Sequence, residues 1–159
     1  MQPALRPLIA ALLLTLASAP TQAAPVAAVH ELAQQEQQPL LDTLRDLVNF
    51  ESGSGDRDGL EKIAAYVAGR LKALGGDVEL IEPDAATVYR MQDTPQRIGQ
   101  MVKATFKGTG SRSVLLIAHM DTVYLKGMLA KQPFRVDGDR AYGLGISDDK
   151  SGVAAIIHA

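Results

Sequence analysis

Ser113-Val114-Leu115-Leu116-Ile117-Ala118-His119-Met120-Asp121 carries a short apolar run straight into an imidazole and a carboxylate. A continuous run of this length is the pattern of a strand covered on both faces, as in a parallel or mixed sheet. Its carboxyl end is where open α/β sheets build their sites. The reading therefore predicts a central strand over Ser113–Ala118 with His119 facing a crevice.

The flanking patterns fit around such a strand. Leu40, Leu41, Leu44, Leu47 and Val48 recur at helical spacing and predict an amphipathic helix over Pro39–Phe50, with Pro39 in its first turn. Glu51–Gly59 is a loop rich in Gly, Ser and Asp. Asp58 with Glu61 has the form of a capping box, and Leu60, Ile63, Ala64, Val67, Leu71 and Leu74 then form one stripe. Gly75-Gly76 should end that helix in the left-handed conformation of a C-terminal cap. Asp77–Ile81 and Met101–Phe106 read as strands on either side of an irregular polar stretch, Pro83–Gln100. Lys107–Arg112 is a turn. Asp137-Gly138-Asp139, between Phe134–Val136 and Arg140–Tyr142, is a hairpin signal. Lys150–Ala159 is apolar almost all round and predicts the start of a buried helix. The order predicts an α/β fold, an α/β/α sandwich on a mixed sheet. No cap, glycine or proline closes Ile156-Ile157-His158-Ala159, so a domain incomplete at its C-terminus is expected.

Composition narrows the chemistry. The chain has 159 residues, 47% apolar and 21% charged, a globular balance. A net charge of −2 and 4% aromatics give neither the electrostatic footprint nor the stacking surface of a nucleic-acid binder. There is no cysteine, which removes disulfides, thiolate metal sites and a cysteine nucleophile together. Any metal must be held by Asp, Glu and the three histidines, His30, His119 and His158.

Residues 1–23 read as a cleaved export signal: Arg6, the apolar stretch Leu8–Ala17, then small residues and a cut after Ala23. The apolar stretch is too short to span a bilayer. The expected mature protein is periplasmic or secreted and free of the membrane. Residues 24–38 are polar and Gln-rich, either a loose tail or the exposed start of a helix, and 39–159 form the globular part.

Two constellations could carry chemistry. In the first, Asp121 lies two residues beyond His119 and can fold back onto its ring. That is how a metal-binding histidine is usually oriented, but a structural histidine beside a turn aspartate has the same spacing. In the second, Gly143-Leu144-Gly145-Ile146-Ser147-Asp148-Asp149-Lys150 puts adjacent carboxylates between a Gly-rich loop and a helix start. Their repulsion needs a cation or a helix N-terminus to offset it, so a metal site and an N-cap pair both stand. The Gly-x-Gly is not a dinucleotide fingerprint, lacking the third glycine and the downstream acid.

Taken together, His119-x-Asp121 and Gly143-x-Gly145-x-x-Asp148-Asp149-Lys150-x-Gly152 resemble the signature of the zinc exopeptidase family of aminoacylases and carboxypeptidases. Tyr124–Gly127, Pro133–Val136 and Leu47–Asp56 are similar to the bacterial glutamate carboxypeptidases that remove C-terminal glutamate from folates. The resemblance covers about Leu40 to Ala159. It implies a catalytic domain with two zinc ions per complete site. His119 would bind one zinc, Asp148 would bridge both, and Asp121 would orient His119 as part of the catalytic apparatus. It also implies a cis peptide at Asp148-Asp149, no metal role for Lys150, and a glutamate base and further ligands beyond this chain. The isolated 159 residues would then be inactive. A peptide or acyl-glutamate substrate and a homodimeric parent follow from the same resemblance. An N-acyl amino acid deacylase of the family, or a non-catalytic exported binding domain, are the other readings. His158, on the apolar helix, reads as a packed residue and His30 as solvated.

Overall fold

The computed structural model describes residues 26–84 and 86–159; the export signal expected over residues 1–23 lies outside them. Helix α1 (Ala27–Gln35) buries none of its residues, and His30 is exposed on it. It runs through Glu36 into α2 (Gln37–Val48), whose third residue is Pro39, where the missing N–H costs nothing. Helix α3 spans Arg57–Ala73 and α4 spans Ser151–Ile157. Among the described residues no helix is long and apolar enough to cross a membrane.

The predicted stripes meet to form the core. Leu44, Leu47 and Val48 of α2, Ile63, Val67 and Leu71 of α3, and Val153, Ala154 and Ile157 of α4 make one buried cluster. Leu47, Ile63 and Ala154 are fully buried. Truncating a side chain such as Leu47 or Ile63 costs about 2–5 kcal/mol through lost transfer energy and a residual cavity. His158 follows α4 and is packed as expected. Its ring spans Glu36 Oε2 (2.6 Å) and the Thr43 hydroxyl (2.8 Å), so it fastens α4 to the α1–α2 junction and to the middle of α2.

The cap of α3 differs from the expectation. Asp56, not Asp58, is the N-cap and accepts from the Gly59 amide at 3.2 Å. The helix starts earlier because Arg57 is drawn into it by Glu61 (2.6 Å), the Ile98 carbonyl and Glu82 (2.8 Å). At its other end Gly75 takes φ +88°, the left-handed stop the Gly75-Gly76 pair predicts.

The sheet is the main correction. β1 (Asp77–Ile81) and β2 (Met101–Thr105) pair antiparallel, Val78 opposite Ala104 and Leu80 opposite Val102, and lie against α3. β3 (Arg135–Asp137) and β4 (Arg140–Tyr142) form the expected hairpin as a second, separate two-stranded sheet. Residues 113–118 pair with neither. Val114, Leu115 and Ile117 are 83%, 81% and 81% exposed. A strand exists only through its neighbours' hydrogen bonds, and among the described residues none lies alongside this segment to supply them. The chain is therefore a mixed helix and strand structure, and no single mixed sheet between helical layers forms among the described residues. The segment is first tied down at its far end, where Gly53 and Thr122 make an isolated parallel bridge.

Candidate metal centre

Two loops deliver the predicted residues to one place. The first follows the exposed segment. Thr122 N–H donates to Ser52 O (2.8 Å), Ser54 N–H to Thr122 O (2.9 Å) and the buried Ser52 hydroxyl to Met120 O (2.8 Å). These bonds fix residues 119–122 against the loop between α2 and α3. The second loop is a wide turn, Ile146–Lys150, that leads into α4. Gly145 opens it with φ +70°, and a β-carbon there would also collide with Thr122 Cγ2, so only glycine fits. The Asp148-Asp149 peptide is cis.

His119 sits between two carboxylates. Its Nδ1 lies 3.2 Å from Asp121 Oδ1 and 3.1 Å from the Asp121 carbonyl, and its Nε2 lies 2.9 Å from Asp148 Oδ1. Partial burial lowers the His119 pKa. The hydrogen bonds to Asp148 and to the Asp121 carbonyl, with the charges of both aspartates, outweigh it and hold the imidazole above its usual value. When Nδ1 carries the proton, the Nε2 lone pair faces a carboxylate oxygen. That contact needs a proton or a metal cation between the two atoms. Nitrogen and oxygen on one tetrahedral zinc lie about 3.4 Å apart from their usual bond lengths, so a small opening of this contact would seat an ion. The donor types fit zinc, but they are two. No group of three or more metal-type side chains occurs among the described residues, and a catalytic zinc takes three protein ligands.

The N-cap reading of the aspartate pair does not hold for Asp148, whose carboxylate points at His119 while α4 begins at Ser151 without a side-chain cap. Asp149 instead folds over Gly152, where a β-carbon would stand 2.7 Å from its Oδ2.

Two features were not foreseen from the sequence. Lys150 is 1% exposed. Its ammonium donates to Phe50 O at 2.7 Å, and burial pushes its pKa down to about 8 against a partial rise from nearby Glu51. Glu51 accepts from the amides of Gly127 (2.7 Å) and Leu129 (3.0 Å), holding the loop beyond Tyr124. Lys150 opens the segment predicted to be buried, and only packing shows which group its ammonium meets.

The sequence model of Peptidase family M20/M25/M40 matches residues 115–159, the stretch that contains His119, Asp121 and Asp148. Carboxypeptidase G2 of Pseudomonas sp. (strain RS-16) is 44% identical over 128 residues, which cover 80% of this chain and 28% of that protein. The chain thus spans little more than a quarter of the length of that relative. On both comparisons it is a relative of the M20/M25/M40 peptidases, related to carboxypeptidase G2.

Proposed function

We propose that this chain contributes part of the active centre of a zinc-dependent exopeptidase that releases a C-terminal glutamate-like residue from peptides or acyl-glutamates. The contact that carries the reading is His119 Nε2 against Asp148 Oδ1, with Asp121 behind the ring. The name of the G2 relative supports the carboxypeptidase class.

His119 and Asp148 are the residues that would hold zinc. Asp121 holds the imidazole in the tautomer that leaves Nε2 free and raises its basicity. Zinc, when bound, lowers the pKa of a coordinated water to about 7 and polarises a carbonyl. The turn opened by Gly145 fixes where the Asp148 carboxylate lies. With two ligands, the 159-residue chain alone is expected to bind zinc weakly and to hydrolyse nothing. Export ahead of the globular part, through residues 1–23, belongs to the same proposal.

The test has two arms. Zinc affinity of the chain is measured by competition with a chromophoric chelator; His119→Ala and Asp148→Ala should each lower it at least about tenfold. Unchanged affinity in both variants would remove the metal site and leave an exported binding domain. In the second arm the aligned 128 residues replace their counterpart in carboxypeptidase G2. The chimera should release glutamate from acyl-glutamates and lose that activity with His119→Ala. A preference for N-acyl amino acids without a terminal glutamate would make it a deacylase instead.

A further inference from the structure

Asp121 is itself held, and by a residue no resemblance assigns. The Ser54 hydroxyl lies 2.7 Å from Asp121 Oδ2 and 3.2 Å from Thr122 O. It has one proton to give. The shorter distance and the charged acceptor favour the carboxylate, since such bonds are about twice as strong as neutral ones. Asp121 therefore has both oxygens engaged, Oδ2 with Ser54 and Oδ1 with His119 Nδ1. Without Ser54 the carboxylate could rotate about its last torsion, which is soft, and His119 would lose its fixed partner.

Ser54 is rigid where it stands. Its N–H donates to Thr122 O, and its neighbour Gly53 pairs with Thr122 so closely that a β-carbon at 53 would collide with Tyr124 O. Four residues back, the Phe50 carbonyl holds Lys150, two residues from Asp148. One short segment, 50–54, thus grips both loops whose side chains converge, and it meets the His119 side through a hydroxyl and a carboxylate in series.

We propose that Ser54 is a positioning residue of the metal pair, acting through Asp121 on the His119 ring. The proposal rests on the metal reading of His119 and Asp148, and its test separates the two. Ser54→Ala keeps every backbone bond of the segment, so the fold is not at risk.

Zinc affinity is compared by chelator competition for the wild-type chain, Ser54→Ala, Ser54→Thr, Asp121→Ala, the Ser54→Ala/Asp121→Ala double variant and His119→Ala. Loss of an outer partner of a ligating histidine typically weakens metal binding by about 10–100-fold. Asp121→Ala should fall in that range. Ser54→Ala, one step further out, should lose about three- to tenfold, and Ser54→Thr, which keeps a hydroxyl, should lose less. The cycle decides the route: Ser54→Ala should have no further effect once Asp121 is Ala. Additive losses would mean that Ser54 acts as general scaffolding, and the proposal falls. An unchanged affinity in Ser54→Ala beside a large loss in His119→Ala overturns Ser54's role and leaves the metal site standing. An unchanged affinity in His119→Ala overturns the metal reading itself. A metal-free readout covers weak binding. The ¹⁵N shifts of the His119 ring report which nitrogen carries the proton, and Ser54→Ala should move the tautomer away from Nδ1–H. An unmoved ring would overturn the proposal.

Discussion

In the proposed metal site His119 would bind an ion only as the neutral ring, and its neighbours favour the charged one. Because its pKa is raised, a proton competes for Nε2 at pH values above the usual histidine range. Zinc affinity should therefore weaken as pH falls from 8 to 6, approaching tenfold per unit below the His119 pKa, with proton release on binding. Titration at several pH values measures it; a flat profile would exclude His119 as a ligand. Lys150 gives a second prediction. Its folded pKa of about 8 lies below the 10.5 it has when exposed. Below pH 8 both folded and unfolded chains hold the proton, and the cost of burying the ammonium is constant. Between pH 8 and 10.5 the unfolded chain binds more protons, so stability rises with pH. Relative to Lys150→Met, which fills similar space without charge, the wild-type chain should gain on the order of 3 kcal/mol across that window. Denaturant melts of both proteins at pH 7 and pH 11 compare them.

At the scale of elements, α3 tests how local signals are won or lost. Its N-cap bond is made by Asp56 to Gly59 N–H, so Asp56→Ala should destabilise the protein by about 1 kcal/mol. Asp58, in the first turn without that bond, should change stability by less than about 0.5 kcal/mol when replaced by Ala. Equal losses in urea melts would return the cap to Asp58. The second loop is just as constrained where it leaves β4. A β-carbon at Gly143 would come within 2.6 Å of Val48 Cγ1 in the core. Gly143→Ala should therefore cost about 1–3 kcal/mol by overpacking and disturb the turn that carries Asp148.

Across the whole molecule, helices α2, α3 and α4 share one core, and the site hangs on loops at its edge. The apolar segment 113–117 is largely exposed, and no strand among the described residues pairs with it. A β-prone, uncharged stretch with free N–H and C=O groups is a template for pairing with another chain. The 159-residue chain should self-associate with rising concentration, and Leu115→Lys should suppress it. Sedimentation velocity over a tenfold concentration range would show this; equal behaviour of the two would mean the segment is harmless.

The helical stripes, the glycine stop at Gly75, the hairpin at Gly138 and the burial of α4 were all legible in the sequence. Each depends on interactions within a few residues, where periodicity and φ preference act directly. That His119, Asp121 and Asp148 stand together also followed from the motif resemblance, and for Asp121 from simple proximity. What the chain pattern could not contain is who meets whom over distance. An apolar run says that a segment can be a covered strand, not that neighbours are there to pair with it. Nothing in residues 50–54 announces that Ser54 will reach Asp121, 67 positions away, or that Phe50 will hold the ammonium of Lys150, 100 positions away. Packing of α2, α3 and α4 brings those loops together, and only there do hydrogen bonds between groups far apart in the chain become geometrically possible.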